Sequence, residues 1–136
     1  MKKHLLLVAL IILLFSCNNL KSNKSSQIEA EDLVGIWTEH WGVDSSDTDV
    51  DYVDTLSFNL NDVGQLTIYC INNSDFIYRD IELDNTGLSF QMENTVDPNE
   101  EFLIDYTLML TNKDLFDGGI VNSRGKKVKI QLRRLP

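Results

Sequence analysis

Cysteine, proline and histidine each occur only twice in the 136-residue chain, and glycine seven times. So few prolines and glycines leave long segments free to form regular structure, and exclude a low-complexity or collagen-like chain. So few cysteines and histidines exclude a zinc-type cluster. Neither a G-x-S-x-G nucleophile elbow nor a phosphate-cradling glycine loop occurs, so the common enzyme signatures are missing. Positive charge is also scarce: 12 Lys and Arg stand against 21 Asp and Glu, a net charge of −9. A chain this acidic repels a phosphate backbone, which speaks against sequence-independent nucleic-acid binding. No period of 20–50 residues repeats, and the length is that of one domain.

What is present begins with an address. Met1 to His4 carries Lys2 and Lys3, and Leu5 to Phe15 is an unbroken apolar run. That run is too short to cross a ~30 Å hydrocarbon core as a helix. It fits the apolar part of a secretory signal. It ends in Leu14-Phe15-Ser16-Cys17, which resembles the bacterial lipobox, where cleavage precedes a cysteine that carries lipid. The resemblance implies a signal peptide over residues 1–16, an acylated (palmitate-bearing) Cys17, and membrane lipid as a partner. Residues 17–27 then read as a flexible tether with lipidated Cys17, polar and without periodicity. By the sorting rule of enteric bacteria, Asn18 after the cysteine implies the outer membrane. Lys21 and Lys24, with no acid before Glu29, imply the periplasmic face rather than surface export of the Bacteroidetes kind.

Without Lys2 and Lys3, ten basic residues face 21 acidic ones, a net charge of −11. The bases are unevenly placed. From Gly118 onward there are six and no acid, so the last strand is expected beside acidic neighbours. With Cys17 acylated, Cys70 is left alone and is expected to be a small buried hydrophobe.

From Gly35 onward the apolar period is two. Leu56, Phe58 and Leu60 alternate with polar residues, as do Leu66, Ile68 and Cys70; Leu88, Phe90 and Met92; Phe102, Ile104, Tyr106 and Leu108; and Val128, Ile130 and Leu132. Clusters of Asn, Asp, Ser and Gly separate the runs. With Gly35–Trp41, Phe76–Leu83 and Leu115–Asn122 they make eight strands. Short turns imply antiparallel up-and-down pairing, and eight strands suffice to close a sheet on itself. The expected fold is an all-β, eight-stranded antiparallel up-and-down β-barrel over residues 28–136.

A helical turn at Ile28–Leu33, the triplet Gly35-Ile36-Trp37, a long loop from Gly42 to Asp51 and then hairpins resemble a lipocalin-like domain. The resemblance implies that Trp37 packs at the closed base, beside Gly35, with an arginine from the last strand over it. Strand parity selects Arg134 rather than Arg133. It also implies that the barrel can hold a small apolar or amphipathic ligand.

Parity places Trp41, Phe58, Phe90 and Tyr106 on inward faces, as the walls of such a pocket. Strict alternation puts two charges there as well: Glu39 beside Trp37 and Trp41, and Arg79 beside Ile77, Ile81 and Leu83. Either would serve as a polar contact for a ligand, unless a β-bulge turns it outward. The lone His40 of the barrel reads as an exposed or rim side chain. Asp47, Asp49 and Asp51 begin like an EF-hand loop, but Tyr52 stands where glycine is required and Phe58 where a bidentate acid belongs. No metal and no cofactor are expected, and no catalysis. The leading expectation is a membrane-anchored, non-catalytic ligand binder. The other is a cell-envelope interaction module, an inhibitor or assembly accessory, whose acidic surface meets a basic protein partner.

Overall fold

The structure, a computed structural model, describes residues 28–42, 51–96 and 102–136, with the backbone alone for Asp51 and Tyr52. The signal peptide, Cys17, the tether and most of the acidic loop lie outside the described residues. One helical turn, α1 (Ala30–Leu33), precedes eight strands: β1 (Gly35–Trp41), β2 (Asp51–Leu60), β3 (Leu66–Cys70), β4 (Phe76–Leu83), β5 (Gly87–Asn94), β6 (Phe102–Asn112), β7 (Leu115–Asn122) and β8 (Lys127–Arg134).

All ladders are antiparallel and follow the order β3-β2-β1-β8-β7-β6-β5-β4. Chain neighbours pair except β3 and β4, and β1 also pairs with β8, so the up-and-down meander curls into a barrel. The end strands β3 and β4 come alongside each other without a ladder, leaving the barrel nearly closed along that seam. Residues around Gly35, Gly87, Leu115 and Arg134 form the base. Trp41, Cys70, Asn94 and Lys127 end their strands at the mouth.

The turns explain why the strands stop where they do. Asn61, Asn73, Asp84, Asn94, Asn112 and Asn122 each use Oδ1 to accept the backbone N–H two residues on. Such Asx turns reverse the chain with local hydrogen bonds. Asp84 accepts a further N–H from Gly87 and the Thr86 hydroxyl, and these bonds hold its carboxyl below the ordinary range.

Alternation fills the interior. Leu56, Phe58, Ile68, Leu88, Phe90, Met92, Ile104, Tyr106, Leu108, Phe116, Ile120, Ile130 and Leu132 are all buried in one cluster. In an eight-stranded barrel the interior is about wide enough for side chains to fill it. Small residues set the tightest approaches. A Cβ on Gly118 would stand 2.1 Å from the Thr107 carbonyl oxygen and 2.8 Å from Leu108 Cα, so only glycine lets β7 lie this close to β6.

Of the three register shifts in the described ladders, at Glu39/His40, Arg79/Glu82 and Leu110/Asn112, the first two bear on the interior. Between β1 and β2, Glu39 faces Asp54 while His40 faces Tyr52, so Val53 is extra. Between β4 and β5, Arg79 faces Gln91 and Glu82 faces Ser89. Asp80 and Ile81 together stand opposite the single residue Phe90, so β4 carries one extra residue there, and Asp80 has a left-handed φ of 52°. Before this bulge Phe76 and Tyr78 pack on the core; after it Ile81 and Leu83 do. The expected inward Arg79 is therefore corrected. It lies on the outer face, paired with Glu93, with its side chain 46% exposed. The physical reason is the interruption of period two at Asp80.

The outer residues of β8, Lys127, Lys129, Gln131 and Arg133, face Val121, Gly119, Asp117 and Leu115 on β7, and His40 and Thr38 flank Gln131 and Arg133 on β1. Acidic neighbours of this strand include Asp117, opposite Gln131, and Asp114, whose Oδ1 lies 3.3 Å from Arg134 Nε.

Candidate functional site

Two polar assemblies stand on the barrel. The first closes the base. Trp37 is fully buried. Its Nε1 donates to the Leu33 carbonyl at 2.9 Å, and its ring packs on Phe58 and Phe116 at centroid distances of 5.6 and 5.3 Å. The guanidinium of Arg134 lies 4.5 Å from the Trp37 ring centroid. It donates to the Val34 carbonyl at 2.8 Å and to the Asp32 carbonyl, and its Nε stands 3.3 Å from Asp114 Oδ1. A helix end leaves carbonyls without intrahelical partners. Here the indole and the planar guanidinium fork take up those of α1. Gly35 makes room: its φ is +148°, and a Cβ there would meet Arg134 Nη1 at 3.2 Å.

A cleft of about 650 Å³ opens beside this clamp, lined by Ile28, Leu33, Leu110 and Arg134 among others. Its wall is the clamp itself. The Arg134 guanidinium in that wall holds α1 to the barrel through the Val34 and Asp32 carbonyls.

The second assembly lies inside the barrel, toward the mouth. Glu39 is only 1% exposed. Its Oε1 accepts the Trp41 indole N–H at 2.5 Å and the Tyr106 hydroxyl at 2.9 Å. The bulge keeps Asp54 beside it on β2, and the Cys70 thiol donates to Asp54 Oδ1 at 3.5 Å. Tyr78 neighbours Cys70 across the seam. Phe90 stacks on Tyr106 at 4.4 Å and meets the Tyr78 ring edge-on at 5.7 Å. The result is two carboxyls among three phenyl-type rings and an indole.

Burial governs the electrostatics. Loss of water pushes the Glu39 carboxyl above its ordinary value; the indole and phenol donors oppose this, and the nearby Asp54 carboxyl adds to it. Desolvation raises Asp54 as well, against the thiol donor. Burial, then the Glu39 charge, holds Tyr106 protonated, and burial does the same for Tyr78. Burial likewise pushes the Cys70 thiol up, away from a reactive thiolate. No Lys or Arg among the described residues pairs with Glu39 or Asp54. Such a pair of acids accepts hydrogen bonds and attracts a cation.

The predicted pocket residues divide. Trp41, Phe90, Tyr106 and Glu39 come together in this assembly. Phe58 does not: its register opposite Gly35 seats it at the base against Trp37. Arg79 is outside. Asp54 and Tyr78 join the assembly without having been singled out, and Cys70, expected as a small buried hydrophobe, joins it as a donor to Asp54. Counting back by two from Phe58 and Leu56 reaches Asp54, so that signal was legible. Tyr78 becomes inward only through the bulge at Asp80. His40 lies on the outer face, its Nε2 2.9 Å from Thr38 Oγ1. Among the described residues no group of three His, Cys, Asp or Glu side chains is placed to hold a metal. Comparison with protein-family models, curated proteins and solved structures finds no match to the chain.

Proposed function

We propose that this protein is a lipocalin-like lipoprotein. In this reading it is held through acylated Cys17 at the outer membrane, facing the periplasm, and is a non-catalytic binder of a small amphipathic ligand. The anchor is supported by Leu14-Phe15-Ser16-Cys17 after an eleven-residue apolar run. The family reading is supported by the Gly35-Ile36-Trp37 start of β1, the Arg134 clamp over Trp37, and the closure of β1 on β8.

The observation that carries the ligand reading is Glu39, a carboxyl sunk in the barrel with no cationic partner among the described residues. Burying an acid this way costs several kcal/mol, and an apolar side chain of similar volume would stabilise the core more. Its retention is explained by recognition: Glu39 and Asp54 meet a hydrogen-bond-donating or cationic head group, while Phe90, Tyr78 and Trp41 hold an apolar body.

The test compares a short alkylammonium with the alkylcarboxylate of the same length, both below micelle formation, by quenching of Trp fluorescence. The alkylammonium should bind tighter, by roughly tenfold for one charge contact of this kind. Glu39→Gln should remove the preference, and Trp41→Ala should weaken binding without unfolding. Equal affinity for the two amphiphiles, or no binding of either, overturns the ligand reading. For the anchor, Cys17→Ala should abolish fatty-acid labelling; a variant that still labels overturns it.

A further inference from the structure

We propose that the seam between β3 and β4 is the door of the barrel, and that the facing carboxyl groups of Glu39 and Asp54 work it. A proton on the pair, or a cationic head group beside it, keeps the seam shut; the bare pair of charges lets it part. The head-group half rests on the ligand reading above, and the proton half does not.

Three observations meet at this seam. In the described barrel it is the one place where neighbouring strands share no ladder, and a sheet opens most easily where its backbone is least held. The side chains that span it toward the mouth are those that touch the acid pair: the Cys70 thiol, at the end of β3, donates to Asp54 on β2 and adjoins Tyr78 on β4, which packs on Phe90. Outside the same stretch, Tyr69 and Ile71 next to Cys70, and Ile77 next to Tyr78, are exposed apolar residues. They give an amphipathic molecule an apolar place of approach beside the door.

Glu39 and Asp54 are direct partners in the β1–β2 register, and like charges so placed repel. Among the described residues, the other titratable groups turned toward them are Cys70, Tyr78 and Tyr106, and burial keeps all three protonated. β5, β7 and β8 turn apolar side chains such as Phe90, Ile120 and Leu132 to this part of the interior. Arg134 is at the base over Trp37, and His40 is on the outer face. Loss of water raises both carboxyls in the closed barrel. Parting the seam admits water and returns them toward ordinary values, so the open form binds fewer protons. Opening therefore grows as pH rises above the ordinary carboxyl range, and levels off once the closed pair is also ionised. An ammonium group entering beside the pair replaces the proton and closes the seam again.

The test is alkylation of Cys70 by N-ethylmaleimide in the full chain, followed on its own peptide by mass spectrometry so that Cys17 is read apart. At each pH the rate is divided by that of the urea-unfolded chain, which removes the thiol's own titration. From about pH 5 upward the ratio should climb, by up to about tenfold per pH unit, and then level off. Glu39→Gln should flatten the climb, and Asp54→Asn gives the same reading should the first variant not fold. The rate should be insensitive to low urea, because a parting seam exposes little surface. A flat ratio in the parent, an equal climb in both variants, or a rate as steep in urea as global unfolding overturns the door. At the plateau, a short alkylammonium at twice its Kd should slow alkylation about threefold, and the alkylcarboxylate of the same length should not. A climb with pH that the alkylammonium leaves untouched keeps the proton-worked door and discards the ligand reading; alkylammonium binding with a flat ratio keeps the ligand and discards the door.

Discussion

At the residue scale, the two assemblies answer different needs. Trp37 is structural: its indole is paired and its ring is enclosed. Trp37→Ala should cost ~3–5 kcal/mol of stability, the range for deleting a large core aromatic, measured by urea unfolding. Arg134→Gln should cost less, about 1–3 kcal/mol, because it leaves carbonyls of α1 without donors and removes the cation from the ring. Glu39 behaves in the opposite way. Its carboxyl is raised above 4.5 in the folded chain. Between that ordinary value and the folded one, the native state binds more protons than the unfolded state, so stability falls as pH rises through this window. Glu39→Gln keeps an acceptor for Tyr106 and Trp41 but cannot ionise. Stability measured from pH 4 upward should therefore decline less steeply in the variant than in the parent. A variant as steep as the parent would show that Glu39 does not govern the decline.

At the element scale, one residue decides which side chains of β4 look inward. Asp80 sits at a φ of 52°, a region that costs a side-chain-bearing residue roughly 1–2 kcal/mol and that Asp tolerates better than most. Asp80→Val should lower the urea midpoint by the equivalent of about 1–2 kcal/mol at unchanged m-value, while Asp80→Gly should hold or raise it. The consequence reaches the site. The bulge turns Tyr78 toward Phe90 and sends Arg79 out to Glu93. Strict alternation read from the sequence runs straight through this position, which is why it placed Arg79 with Ile77 inside. Tertiary packing overrode it, because Tyr78 has Phe90 and Met92 to pack against while Arg79 has water and an acid.

At the scale of the whole molecule, the barrel is unequal around its circumference. β6 and β7 are paired on both sides, whereas β3 and β4 each end the hydrogen-bonded ladder, and β3 is only five residues long. Local opening follows the weakest-held backbone. Amide exchange should therefore be faster in β3 and β4 than in β6 and β7, with Cys70 and Tyr78 at the site of opening. Uniform exchange around the barrel would mean that side-chain contacts across the seam hold it as firmly as a ladder does.

The fold class, the number and order of strands and most of the inward set outside β4 were determined by the sequence alone, because period two and Asx turns are local properties that a single chain displays. The pairing of Trp37 with Arg134 was also legible: the resemblance of the Gly35-Ile36-Trp37 start to a lipocalin-like domain implied an arginine over the indole, and parity chose Arg134 over Arg133. What only the tertiary structure decided were the places where local rules compete with packing. The bulge after Arg79 depended on which ring would fill the space beside Phe90. The seat of Phe58 depended on the stagger of β2 against β1. Each is set by contacts between segments far apart in the chain, and no periodicity within one segment records them.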